Sequence, residues 1–294
     1  MQNHDEDILK RVRHIEIKTR GLSDEIFAGK YHTAFRGRGM SFAEVREYRA
    51  GDDVRDIDWN VTARSDRAHV KVYEEERELT MMLMVDVSPS RLFGSQDVTK
   101  KGLITEIAAT LAFSAAKNND KVGCILFSDH IEKFIPPKKG RSHILMIIRE
   151  LVSFQPSGCG TNISEVLRFL VGVNKKRTTA FLLSDFIDAE PDIPKLEDAL
   201  KIASAKHDIM AVRVYDKRDV ELPDVGIIQM QDLETGLCEW VDTSSRRVRN
   251  FWQKSYEERN AQMSRLLSHN RVDMAEVATD GDYVVELIKM FKTR

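Results

Sequence analysis

The stretch TMMLMVDVSPS (Thr80–Ser90) contains the pattern on which the fold prediction depends. Its first six residues are uncharged and mostly apolar, which is typical of a strand covered on both faces of a sheet. The run then closes on Asp86, Ser88 and Ser90, three oxygen side chains on alternate residues. A simple turn would favour Gly or Asn here. We therefore interpret the three oxygens as directed at one point.

Strand-like and helix-like segments alternate from Leu79 to the C-terminus. After the first strand, the predicted strands are VGCILF (122–127), hairpinned IEKFI (131–135), AFLLS (180–184), DIMAVRVY (208–215) and VDMAEVA (272–278). Helices are predicted over about 98–117, 141–153, from near residue 162, 194–206, 245–269 and after the last strand. This alternation predicts an α/β fold with a mostly parallel sheet flanked by helices. The segment 227–242 is predicted to insert a β-hairpin that turns at 234–236.

The part of the chain before Leu79 has a different pattern. Residues 5–28 are predicted to be helical, and 35–78, rich in Gly, Arg and Asp, to form loops and short strands. We predict an N-terminal extension over 1–78 and the α/β domain over 79–294. In GDDVRDIDW (51–59), four aspartates indicate either a second cation site or docking face, or, as we prefer, a turn with capping and pairing to arginines. Trp59 is interpreted as a packing anchor.

Composition narrows the class of protein. The 294 residues are 42% hydrophobic and 31% charged, with 45 Lys+Arg against 47 Asp+Glu and a net charge of −2. This describes a globular protein with no basic field for nucleic acid. No segment reaches the ~18 apolar residues of a membrane span, and the N-terminus has no signal-peptide core. The three cysteines have no paired spacing. We expect a soluble, cytoplasmic protein with reduced thiols.

Polar residues follow the strands at three distant places. Besides the Asp86 cluster, the strand 180–184 ends in Ser184-Asp185, and the loop GCGTN (158–162) places Thr161 at a helix start. Ligands of open α/β sheets bind beyond the carboxyl ends of the strands, and oxygen ligands suit a hard divalent cation. Each piece alone could be a turn or a helix cap. Together they predict a metal site of two carboxylates and three hydroxyls.

The pattern Asp86-x-Ser88-x-Ser90, followed by Thr161 and Asp185, resembles the metal-ion-dependent adhesion site of von Willebrand factor type A domains. The resemblance covers about 79–215 and implies that these five residues approach Mg²⁺, with Mn²⁺ and Ca²⁺ as the other candidates. It also implies that the carboxylate of a partner completes the ligand shell. The family's fold is the same α/β architecture.

A second resemblance covers nearly the whole chain. The stretches GRGMSFAEVREYRAGDDVRDIDWNVTARS (37–65), VYEEERE (72–78), 215–237 and 244–252 are similar to the prokaryotic domain-of-unknown-function family 58. Members of that family carry a von Willebrand A-like domain and tend to be encoded beside AAA+ ATPases of the MoxR type. The resemblance implies an accessory protein or substrate adaptor whose partner is such an ATPase or its client. It implies nothing about oligomeric state.

Three functions compete for the same cluster. The first is a non-catalytic binding module in which the cation captures an Asp or Glu of the partner. The second is a Mg²⁺-dependent hydrolase of the haloacid dehalogenase type, which needs a second aspartate two residues after the first. Position 88 is Ser, and we predict no lysine near the cluster, so catalysis is disfavoured. Asp129-His130, the one candidate base, is better interpreted as a hairpin turn. The third is a purely structural cation.

Overall fold

The computed structural model describes residues 12–16, 41–65, 67–74, 79–92, 99–187, 192–231 and 237–292. Contacts divide the chain into two compact units, one of Met1–Tyr31 with Thr80–Arg294 and one of His32–Leu79. The predicted domains over 1–78 and 79–294 stay a prediction, since a contact boundary does not test whether each part folds alone. Of the helix predicted over 5–28, residues 12–16 are helical, and the rest lies outside the described residues.

The smaller unit is built on an antiparallel strand pair, β1 (Ser41–Glu47) and β2 (His69–Glu74). A 3₁₀ turn (Val54–Asp56) and the one-turn helix α1 (Trp59–Thr62) lie between the two strands in the chain. Short strands joined by loops are what the sequence predicted for this part.

The aspartates of the smaller unit act as caps and ion-pair partners. Asp53 accepts a hydrogen bond from the N–H of Arg55, and Asp58 caps α1. Asp52 forms two hydrogen bonds with the guanidinium of Arg46, of 2.7 and 2.8 Å. The preferred interpretation as a capped turn fits these contacts, although the side-chain partner of Asp52 is an arginine that the sequence did not single out. Trp59 is 68% exposed and is not part of the packed interior of this unit; its predicted role as an anchor against the sheet stays a prediction.

A six-stranded sheet forms the centre of the larger unit. Its strands are β3 (Thr80–Asp86), β4 (Lys121–Phe127), β5 (Ile131–Lys138), β6 (Thr179–Ser184), β7 (Asp208–Tyr215) and β10 (Asp273–Ala278). They are arranged in the order β10-β7-β6-β3-β4-β5, and every pair is parallel except β4 with β5. The predicted α/β fold with a mostly parallel central sheet is confirmed.

Helices cover the sheet on both faces. They are α2 (Lys100–Lys117), α3 (Arg141–Ser153), α4 (Ile163–Val173), α5 (Ile193–Lys206), the short α6 (Lys217–Val220), α7 (Arg246–His269) and α8 (Tyr283–Lys292). The predicted helices are confirmed to within a few residues at their ends. None of the helices in the described ranges is long and apolar enough to cross a membrane.

The central strands are buried on both faces, as their continuous apolar runs predict. Met81 to Val85 of β3 and Ala180 to Leu183 of β6 are all 0% exposed. The hairpin insertion consists of β8 (Ile227–Gln231) and β9 (Cys238–Asp242), paired antiparallel. Its predicted turn at 234–236 lies outside the described residues.

The chain reverses direction across the sheet at β3. It proceeds from β3 to β4 and β5 on one side, and then crosses to β6 and β7 on the other. In doubly wound sheets, ligands bind at this point, beyond the carboxyl ends of the strands. The ends of β3 and β6 are therefore the place at which to look for a site.

Candidate metal centre

Asp86, the last residue of β3, is the hub of the polar cluster. It is 1% exposed. Its Oδ1 accepts a hydrogen bond from the N–H of Ser88 at 2.9 Å. Its Oδ2 accepts from the hydroxyl of Ser184 at 2.6 Å and from that of Thr161 at 3.4 Å. One carboxylate thus joins the ends of two neighbouring strands to the loop before α4.

Burial and charge both act on Asp86. Removal from water and, to a lesser extent, the nearby negative charge of Asp185 outweigh the hydrogen bonds from Ser184 and Ser88, and together they raise the pKa of its carboxyl to about 6. The two predicted carboxylate ligands therefore lie close enough to repel each other. A divalent cation between them would relieve that repulsion.

The hydroxyls of Ser88 and Ser90 have the spacing that a small cation requires. Their oxygens are 2.9 Å apart, and the two residues are 0% and 7% exposed. Adjacent ligands in an octahedron with Mg–O distances of about 2.1 Å are separated by about 3 Å. In the structure the two hydroxyls at this spacing form a hydrogen bond. The residues present therefore fit a cation of the predicted size.

Asp185 follows β6 and is held by an unusual turn. Its Oδ1 accepts a hydrogen bond from the N–H of Ile187 at 3.2 Å. The next residue, Phe186, has a φ of 56°, which a non-glycine residue rarely adopts. The hydroxyl of Ser184 accepts the N–H of Phe186 at 2.9 Å. The turn fixes the direction of Asp185, and backbone strain of this kind often occurs at functional sites.

Lys100 contradicts the prediction that no lysine lies near the cluster. Its Nζ lies 2.9 Å from Oδ2 of Asp185 and 3.1 Å from Oδ2 of Asp219, and its side chain is 1% exposed. Burial lowers the pKa of Lys100, but the two carboxylates outweigh that effect and the pKa is raised above its usual value. The prediction was wrong because Lys100 is the first residue of α2, and the start of this helix lies beside Asp185 although the two residues are far apart in the sequence.

Arg91 is a second buried cation close to the cluster. It is 2% exposed, and its Nη2 donates to the carbonyl of Phe154 at 3.3 Å. Its Nε and Nη1 have no hydrogen-bond partner among the described residues. Burial lowers the pKa of Arg91 to about 10, and the charge of Asp86 acts in the opposite direction. Arg91 adds positive charge on the Asp86 side of the cluster.

Glu132 on β5 holds the loop that carries Thr161. Its side chain is 5% exposed and accepts hydrogen bonds from the N–H groups of Ser157 and Gly158, each at 2.8 Å, and from the hydroxyls of Ser157 and Ser128. Burial alone would raise its pKa, but these bonds, with that from Gly158 the strongest, lower it to about 2. Glu132 therefore holds the loop that carries Thr161.

Asp129 and His130 lie between β4 and β5, as the hairpin-turn interpretation predicts. The Nδ1 of His130 lies 2.6 Å from Oδ1 of Asp129, and its Nε2 lies 3.3 Å from the hydroxyl of Ser157. The hydrogen bond that the imidazole donates to the carboxylate of Asp129 raises the pKa of His130. Because the hydroxyl of Ser157 donates to Glu132 at 2.7 Å, its proton is directed away from the imidazole. This is not the arrangement of an activated nucleophile.

The structure brings all five predicted ligands to the switch point of the sheet: Asp86, Ser88, Ser90, Thr161 and Asp185. Their role as metal ligands stays a prediction. Within the described ranges, no group of three or more His, Cys, Asp or Glu could hold a metal, so this centre depends on its hydroxyls. Sequence reasoning missed Lys100, Arg91 and Glu132. Lys100 alone had a signal, because it shares the apolar face of α2 with Leu103 and Ile107.

Comparisons with known proteins connect the chain to one family. The family described as "Protein of unknown function DUF58" matches residues 44–262, more than half of the chain. Over 292 residues, the chain is 27% identical to an uncharacterized protein of Mycobacterium bovis, covering 99% of this chain and 90% of that protein.

Solved structures with similar architecture share little sequence. An aerotolerance-related membrane protein from Bacteroides fragilis is 16% identical with a TM-score of 0.49, over 74% of this chain and 100% of the other. A von Willebrand factor type A structure from Catenulispora acidiphila is 14% identical with a TM-score of 0.38, over 65% of this chain and 45% of the other.

Proposed function

Because the chain belongs to the DUF58 family of proteins of unknown function, we propose that it is a non-catalytic protein-binding module that works through a bound divalent cation. Asp86, Ser88, Ser90, Thr161 and Asp185 hold the cation, Mg²⁺ first and Mn²⁺ or Ca²⁺ as alternatives. When bound, the cation supplies a coordination position for a carboxylate of the partner. The family resemblance implies a MoxR-type AAA+ ATPase, or its client, as that partner.

One observation carries this proposal. Three hydroxyls and two carboxylates from three distant parts of the chain meet at one buried edge, with the Ser88 and Ser90 oxygens 2.9 Å apart. A hydrolase would need an acid at position 88, which is Ser. Burying this many polar groups at one place is costly unless they are paired or bind a ligand.

The charges of the cluster favour an acidic partner. Asp86, Asp185 and Asp219 carry three negative charges, and Lys100 and Arg91 carry two positive ones, so the cluster has a net charge of −1. A divalent cation changes this sum to +1. The loaded centre therefore attracts a carboxylate, and the metal-free centre repels one.

Asp86→Ala tests the proposal, with the exposed Asp198→Ala as the matched control. We expect the Asp86 variant to lose Mg²⁺ and Mn²⁺ binding in isothermal titration calorimetry, and to lose capture of a MoxR-type ATPase from the source organism in a pull-down that EDTA also abolishes. Thermal unfolding checks that both variants are folded. Absence of metal binding by the wild type, or normal capture by the Asp86 variant, would falsify the proposal.

The same five ligands could instead hold a purely structural cation, with no coordination position open to a partner. The five ligand side chains are at most 7% exposed, which also suits a cation that never exchanges. Purified protein then retains its metal through dialysis against EDTA, and capture of the partner does not respond to added Mg²⁺. An exchanging cation with EDTA-sensitive capture supports the binding module instead.

The hydrolase is the second candidate, and Lys100 is the observation that favours it. A lysine paired with the second carboxylate, 2.9 Å from Asp185, supplies a group whose expected absence counted against catalysis. Turnover of a generic aryl phosphate with Mg²⁺, lost in Asp86→Ala, would support this function. We expect no turnover, since the acid that would protonate the leaving group is missing at position 88.

A further inference from the structure

Lys100 occupies a place that local structure does not favour. It is the first residue of α2, where the helix dipole disfavours a positive charge. Its side chain is 1% exposed, and removing an ammonium group from water is costly. The carboxylates of Asp185 and Asp219, 2.9 and 3.1 Å from Nζ, offset that cost. The position of Lys100 is therefore determined by these two carboxylates.

Asp185 has its two oxygens already engaged. Oδ2 accepts from Lys100, and Oδ1 accepts from the N–H of Ile187. A cation that approaches Asp185 must share this carboxylate with the ammonium group or displace it. Asp86 differs, because its described hydrogen bonds come from neutral donors at Ser88, Ser184 and Thr161. Of the two carboxylates, Asp185 is therefore the one that forms a direct ion pair with a cationic side chain.

Asp219 restrains Lys100 from the other side. Its Oδ2 accepts both the ammonium of Lys100 and the N–H of Asp216, so it is fixed at the start of α6. Its side chain is 15% exposed. Asp219 is held in place by its hydrogen bond to the backbone. The ammonium group of Lys100 therefore interacts with two carboxylates, that of Asp219 outside the centre and that of Asp185 inside it.

We propose that Lys100 competes with the divalent cation for Asp185 and so determines how tightly the centre binds metal. Asp219 weakens that competition, because it also forms an ion pair with the ammonium group of Lys100. This inference rests on the proposed function. Lys100 is a positioning and affinity-determining residue in this scheme, not a ligand. The centre binds metal more weakly than its oxygens alone would allow.

Two variants with opposite expected effects test the inference. Lys100→Met keeps the length of the side chain and removes the competing charge, so Mn²⁺ affinity should rise, on the order of tenfold. Asp219→Asn leaves the whole ammonium to Asp185, so Mn²⁺ affinity should fall, roughly several-fold. Its amide oxygen still accepts the N–H of Asp216. Lys101→Met, one residue along α2, makes the same change of charge and is the control.

Isothermal titration calorimetry with Mn²⁺ alone measures the affinities, and thermal unfolding shows whether each variant is folded. A structural role for Lys100 would weaken binding in both variants and would not produce opposite shifts. If Lys100→Met does not fold, the Asp219→Asn arm decides, and unchanged or tighter binding by that variant overturns the inference.

The remaining outcomes separate the inference from the proposed function. Wild-type binding that is unchanged or weakened in Lys100→Met overturns the inference and leaves the binding module standing. Binding by Lys100→Met but not by the wild type supports the inference and overturns the proposed function. If the wild type and all variants fail to bind Mn²⁺, both are overturned.

Discussion

The hydroxyl of Ser184 lies 2.6 Å from Oδ2 of Asp86, across the parallel pair formed by β6 and β3. The same hydroxyl accepts the N–H of Phe186, the residue in the left-handed conformation after Asp185. One buried side chain therefore connects the first carboxylate of the candidate centre to the turn that directs the second. Ser184 supports both carboxylates without belonging to the adhesion-site pattern.

Ser184→Ala should destabilise the protein through this double role. It removes a hydrogen bond to a carboxylate and leaves the N–H of Phe186 without its acceptor, which together cost about 2–3 kcal/mol of unfolding free energy. Urea unfolding at neutral pH measures the loss. Ser268→Ala on the exposed side of α7, which removes a hydroxyl bonded only to the carbonyl of Ser264, is the control. Equal losses in both variants would show that Ser184 has no special role.

Glu132→Gln should change the dependence of stability on pH. The pKa of Glu132 is about 2 in the folded protein and 4.5 ordinarily. A lowered pKa contributes stability that is complete above 4.5 and is lost as the pH falls towards 2. The wild type should exceed the variant by about 2–3 kcal/mol at pH 7, and the difference should disappear near pH 2. Urea titrations at pH 7, 5 and 3 measure it, and a constant difference contradicts the assignment.

Gly158→Ala should displace the loop that carries Thr161. A Cβ at this position would lie 2.0 Å from Oδ1 of Asp129 and 2.3 Å from the hydroxyl of Ser128, closer than atoms approach. We expect a loss of about 1–3 kcal/mol in unfolding free energy and weaker Mn²⁺ binding in calorimetry. Gly172→Ala in α4 is the matched control, since its Cβ meets nothing within 4 Å. The control should be stabilised by about 0.5–1 kcal/mol.

Comparison with Gly172→Ala also shows which result would contradict this prediction. If Gly158→Ala binds Mn²⁺ as tightly as Gly172→Ala does, then the position of the 158–162 loop does not matter to the centre. Thr161 would then only precede the start of α4 and would not be a ligand of the metal.

The cysteines offer a chemical probe of the surface beside the candidate metal centre, where the partner is expected to bind. Cys159 and Cys238 are exposed, Cys124 is buried, and none forms a disulfide. Burial also raises the pKa of the Cys124 thiol. A disulfide reagent should therefore modify two thiols in the folded protein and the third only after unfolding.

Binding of a partner should then distinguish the two exposed thiols. Cys159 precedes Thr161 by two residues, so a partner whose carboxylate completes the cation shell should slow modification of Cys159 and leave that of Cys238 unchanged. Mass spectrometry of the labelled peptides measures both rates. Equal rates with and without the captured partner would place the docking surface elsewhere.

Much of the fold could be predicted because the strands are buried on both faces. Burial of β3, β4 and β6 requires continuous apolar runs, and such runs are visible in any sequence. Asp86 and Asp185 were found because each directly follows one of these runs. The helix caps were also local: Asn162 caps α4 with its own side chain, as the Asn162-x-x-Glu165 pattern indicates.

Residues that act on the site from other elements could not be found in this way. Glu132 looks like any exposed residue of an edge strand, and its role depends on the loop at 157–158 lying beside β5. Trp59 was predicted from its residue type to be a packing anchor, and within its own unit it is exposed. Residue type predicts burial only on average.

By itself, the sequence determined the alternation of strands and helices, the edge of the sheet at which a ligand would bind, and the five oxygen side chains collected there. Local sequence patterns are sufficient to predict these features, because a buried strand and the polar residues at its end are visible within a few consecutive residues. Only the tertiary structure decided which charges face those oxygens. Lys100 and Asp185 are 85 residues apart in the chain. Helical periodicity could place Lys100 on the apolar face of α2, but it could not identify the carboxylate that pairs with it, because that contact is created only by folding.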